Sequence, residues 1–178
     1  MRKLPVVAIL AILMAAVQIF GPMPSARAEG EEPFFDNLNE SIRTKPSSLF
    51  GGLTGTEFMA RMKEKYGRAQ TVTLFSVMAA GAELSQARAG EVVEYLTPEM
   101  ADDAITFYTM VMREAGTFKD EDDAHAKKIM AVLYNDLAVK YLAGDPATVA
   151  LCDKNYGQSA RAKMTVLLRL TTIFLENS

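Results

Sequence analysis

The chain has 178 residues, 49% of them hydrophobic, with 19 Lys and Arg against 22 Asp and Glu. A single cysteine excludes an internal disulfide, and one cysteine with one histidine is too few for a zinc site. The lack of a basic surplus argues against nucleic-acid binding.

Residues 1–28 read as an export signal. Arg2 and Lys3 precede an apolar run at 4–20, then Gly21, Pro22 and Pro24 break the helix, and Ala26 and Ala28 supply the small residues that a signal peptidase inspects. An uncleaved anchor needs about 20 apolar residues; this run has 17 and contains Gln18. Cleavage after Ala28 is therefore expected, with a periplasmic or secreted destination. The leader holds three of the basic residues and no acid, which leaves 16 bases against 22 acids in the remainder, a net charge of −6. About 150 residues fit one domain that buries about 70% of its unfolded surface without covalent staples.

Residues 29–53 are expected to form an extended acidic arm. The stretch 29–40 holds five acids and no base, and Phe34, Phe35, Leu49 and Phe50 are scattered through the arm. Those four apolar residues are candidates for an interaction surface, or for tacking the arm onto the domain. Asn39-Glu40-Ser41 matches a glycosylation sequon, which carries meaning only in a eukaryotic host.

From residue 54 to 178 the punctuation is helical. Thr54 and Glu57 make a capping box ahead of Phe58, Met59, Met62 and Tyr66, and Gly67 stops that helix. A second helix is predicted over 69–89, with Val72, Phe75, Met78, Ala79 and Ala82 inward and Gly90 as its stop; small residues around Gly81 suggest a close helix crossing. Thr97-Pro98 and Asp145-Pro146 each pair a capping side chain with proline at the first helical position, which predicts helices over 98–115 and 146–155 closed by Gly116 and Gly157.

Between those two, a helix opens at Asp122 or Asp123 and ends near Gly144. One stripe on it comprises Ala126, Ile129, Met130, Leu133, Leu137 and Tyr141, and a second comprises Val132, Val139 and Leu142, so burial on two sides is expected. The last helix, over 158–176, carries one polar line at Arg161, Thr165, Arg169, Thr172 and Glu176, and most of its remaining positions are apolar. Such a helix belongs at the centre of a bundle; its rival placement is against a membrane surface or in a partner's groove. The expected fold is thus all-α, a single-domain bundle of five or six helices with the C-terminal helix central.

Candidate chemistry is sparse. Cys152 shares a helix face with Val149, and packing is its first reading; an odd cysteine in an exported chain also suggests an intermolecular disulfide, to a second copy or to a partner. A nucleophilic thiolate needs a nearby base, and Lys154 points to another side of the helix. His125 sits among Asp120, Glu121, Asp122 and Asp123, but the segment lacks the glycine of a calcium loop and reads as a helix N-terminus favoured by its dipole. Met59 and Met62 share a face, whereas Met110 and Met112 diverge, so copper ligation by thioethers is not expected.

Glu40-Ser41 has the order of the glutamate–serine pair of helical wall-cleaving transglycosylases, with nothing downstream to extend the match. No nucleophile elbow, haem-attachment motif, phosphate loop or dinucleotide fingerprint occurs. The expectation is an exported, non-enzymatic accessory protein that binds a protein partner in the cell envelope, without cofactor or metal. The alternatives are a carrier with a Met-, Phe- and Tyr-lined pocket for a small hydrophobic ligand or a metal, and an envelope-polymer hydrolase using a carboxylate acid.

Overall fold

The computed structural model describes residues 40–178 other than 81 and 119. The export signal, Phe34 and Phe35 lie outside the described residues. What is described is an all-α bundle: α1 (Glu40–Thr44), α2 (Gly55–Tyr66), α3 (Arg68–Ser76), α4 (Gln86–Tyr95), α5 (Pro98–Glu114), α6 (Asp123–Leu142), α7 (Pro146–Tyr156) and α8 (Ala160–Asn177). Short 3-10 turns occupy Ser48–Phe50 and Gly157–Ser159.

Local signals set most of these boundaries. The Thr54–Glu57 capping box opens α2, with both reciprocal hydrogen bonds formed. Thr97 caps α5 through the Met100 N–H, Asp122 caps α6 through that of His125, and Asp145 caps α7 through that of Thr148. Each cap satisfies an N–H that the helix itself leaves without a partner.

The C-terminal helix is central. α8 packs against α4, α5, α6 and α7. Met164, Val166, Leu167, Leu170, Ile173 and Phe174 are buried on it, while Arg161, Arg169 and Glu176 of the polar line face solvent. Asn135 of α6 fixes the seam between the two longest helices, donating to the hydroxyls of Thr171 and Thr172 at 3.0 and 3.2 Å. No helix among the described residues is long and apolar enough to cross a membrane.

Three expectations need correction. The helix predicted over 69–89 is two helices, α3 and α4, with irregular chain at 77–80 and 82–85 between them; Gly90 lies inside α4 instead of ending a helix. Most of the second stripe of α6 is not buried: Val132 and Val139 are 41% and 47% exposed while Leu142 packs against the core, because α5, α7 and α8 all cover the broad face that carries Met130, Tyr134 and Leu137.

The described part of the arm, finally, is folded onto the domain. Ile42 is fully buried and Phe50 stacks on Phe58 with ring centroids 4.5 Å apart. From there an aromatic ladder continues through Phe75 and Phe107. Full burial of a side chain such as Ile42 contributes about 1.5–3 kcal/mol, which explains why residues 40–53 join the core.

Candidate functional site

Leu49 and Phe50, candidates for an interaction surface or for tacking the arm onto the domain, are 9% and 1% exposed. Their surface is spent on α2 and α5, so they offer none to a partner. Cys152 is free and fully buried in the core. Burial pushes its thiol up to about 12, so both a thiolate nucleophile and a disulfide to another chain would require the fold to open. His125 is exposed at the start of α6, with Nε2 3.5 Å from Glu121 Oε2. Histidine and thiol therefore stand in unlike surroundings. No group of three metal-ligating side chains gathers among the described residues, and the methionines at 59, 62, 110 and 112 are core filling.

The unusual chemistry lies where α3 stops. A helix end leaves main-chain carbonyls without intrahelical partners. Here the Val77 and Ala79 N–H groups make turn bonds to Leu74 O and Ser76 O, and side chains from three other helices add to them. Tyr108 of α5 donates to the Leu74 carbonyl. Tyr156 of α7 donates to Met78 O at 3.5 Å. Lys163 of α8 donates from Nζ to Ser76 O at 3.2 Å and Ala79 O at 2.5 Å. A cation is also the charge that the negative end of a helix dipole favours.

Lys163 has no solvent exposure, and its Nζ lies 5.0 Å from the centre of the Tyr156 ring. Removal from water disfavours the charged amine, and no carboxylate among the described residues is paired with it, so burial outweighs the helix end and its pKa falls from 10.5 to about 7. The same burial raises the phenols of Tyr108, Tyr134 and Tyr156 well above their usual range.

Directly above this chamber is a groove of about 530 Å³. The irregular segment 82–85 and the start of α4 form one wall; the junction of α7 and α8, residues 155–159, forms the other. Glu83, Ser85, Gln86 and Gln158 stand exposed on its rim, and Tyr156 and Ser159 are buried beneath. Ser159 ties the walls together by accepting a hydrogen bond from the Leu84 N–H at 2.9 Å. Ser85 caps α4 through the Arg88 N–H. Interior volumes of roughly 300–1,000 Å³ are typical of ligand sites.

A second depression of about 510 Å³ lies between the start of α6 and the end of α8, over Phe174, and is edged by His125, Lys127 and Lys128. Its charges are largely mutual: Lys127 pairs with Asp102, and His125 faces Glu121.

Sequence reasoning passed over Lys163 and Ser85, and signals existed for both. Lys163 falls outside the polar line of the last helix, two residues from Arg161, so it had to point inward. Ser85 is a serviceable N-cap within the "ELSQAR" stretch. Against known proteins, the chain matches no family model, no curated protein and no solved structure.

Proposed function

We propose that this chain is an exported, non-enzymatic helical accessory protein that binds a protein partner in the cell envelope, and that the groove between residues 82–86 and 155–159 receives it. One observation carries the proposal: an irregular stretch with Glu83 and Ser85 exposed forms a wall of the groove, while buried tertiary hydrogen bonds fix its base. Non-helical backbone beside rim side chains such as Gln86 and Gln158 suits an extended peptide, which is recognised through main-chain hydrogen bonds and a few side-chain contacts. The polar rim fits this better than a hydrophobic cargo, since the Met and Phe side chains that would line a carrier's pocket are packed into the core.

Site-specific photo-crosslinking in the native host tests the reading. A crosslinking residue at Gln86 or Gln158 is expected to trap one defined protein, and the same residue at exposed Val139 is expected to trap none. Equal trapping at all three positions would remove the groove from consideration. A bound small molecule seen by native mass spectrometry would favour the carrier instead.

A further inference from the structure

We propose that Lys163 is a proton-linked clamp on the chain where α3 ends: as a neutral amine it holds residues 76–79 closed, and uptake of a proton loosens them. This clamp stands whatever occupies the groove.

The geometry carries it. A neutral amine has two N–H groups, matching the two carbonyls, Ser76 O and Ala79 O, that accept from Nζ. The extra N–H of an ammonium has the Tyr156 ring for its neighbour, a weaker partner than the water it gives up. Ser76 is the last residue of α3 and Ala79 lies just past it. Lys163 and Tyr156 therefore hold the chain where the helical ladder gives way to single turn bonds, and Ser159 holds Leu84 further on. The turns at 77–80 are thus the part that opens when one of those holds fails.

The groups that face Lys163 can be named from each side. α3 and its continuation present main-chain carbonyls; α7 presents Tyr156 and, behind it, Cys152; Tyr108 of α5 and Tyr134 of α6 lie beyond Tyr156. On α4, Arg88 is engaged by Thr73 and Glu91. The phenols and the thiol are all raised by burial, so none of them titrates between pH 6 and 10 in the closed state.

An opened segment returns the amine to water and to its ordinary pKa of 10.5, against about 7 when closed. The open form therefore binds more protons between those values, and opening becomes more favourable as pH falls from about 10 to about 7, then levels off below 7. The slope approaches tenfold per pH unit, which amounts to roughly 70-fold between pH 9.5 and 7.5.

Hydrogen exchange of the amides at 77–80, corrected for intrinsic rates, measures that opening in the intact chain. The expected profile is the one just given, with Lys163→Met flat over the same range and His125→Ala unchanged from wild type. Matching profiles for wild type and Lys163→Met would overturn the proposal. A heteronuclear NMR titration of the Lys163 side chain decides the matter without any variant: a midpoint near 7 supports the clamp, and a midpoint near 10 sinks it.

Discussion

The carbonyl oxygen of Ile42 lies 2.5 Å from the point where a β-carbon on Gly55 would stand. That approach locks the end of the acidic stretch onto the first turn of α2, and only glycine permits it, because the obstacle is main chain and cannot swing aside. Thr56, next in the chain, donates its hydroxyl to the Arg43 carbonyl at 2.9 Å and reinforces the same contact.

Gly55→Ala is expected to destabilise the domain by about 1–3 kcal/mol and to make residues 40–53 the first site of proteolytic cutting. Gly90 is the contrast. A β-carbon there meets nothing within 4 Å, and the residue is exposed inside α4, so Gly90→Ala should stabilise by about 0.5–1 kcal/mol. Urea denaturation of both variants checks the pair. Equal effects of one sign would show that neither reading is right.

Cys152 should resist alkylating reagents in the native state at neutral pH and react at once in urea, and purified native protein should run as a monomer on a non-reducing gel. Burial raises the folded-state pKa from 9 to about 12. The unfolded chain therefore loses this proton first, and the stability linked to it declines as pH climbs from about 9 towards 12. A Cys152→Ala variant should lack that alkaline decline. A reducible dimer band would show that the thiol is accessible after all.

Asp123 is held below the usual carboxylate range, chiefly by its hydrogen bond to the Arg113 guanidinium at 2.5 Å. A depressed folded pKa stabilises above the unfolded value of about 3.8, and that contribution disappears as pH falls through the folded value. Asp123→Asn should consequently lower stability at pH 7 and flatten the acid limb of a stability–pH curve. With the pair partly exposed, 0.5 M salt should shrink the difference between variant and wild type.

Asn135 joins α6 to α8 through two hydroxyls. Asn135→Ala leaves Thr171 and Thr172 without that donor and should cost about 1–2 kcal/mol. Thr172→Ala alone should cost less, since Thr172 is only half-buried whereas Thr171 has no exposure. A double-mutant cycle between Asn135 and Thr171 should return a positive coupling energy; strict additivity would mean the seam rests on apolar packing alone.

How much of this the residues announced in advance depended on the reach of the forces involved. Capping boxes, proline at the first helical position and terminal glycines act within a few residues, so Thr54, Thr97, Asp122, Asp145, Gly116 and Gly157 marked their helix ends correctly, and the apolar breadth of the last helix placed it at the centre. Over 69–89 the same kind of evidence misled. The helical apolar pattern runs on past residue 76, and nothing within one turn tells the chain to stop there.

What ends α3 is a set of side chains far away in sequence. Tyr108, Tyr156 and Lys163 reach carbonyls 34, 78, 87 and 84 positions from their own, and Ser159 takes an N–H 75 positions away. No periodicity encodes partners at such separations; they meet only once the bundle has closed. The residues along the chain therefore determined an all-helical domain, most of its helix boundaries and its central helix, through local hydrogen bonding and the facing of apolar stripes. Tertiary structure alone decided where α3 breaks, because a buried amine and two buried phenols needed acceptors, and the loosened carbonyls of that one segment supplied them.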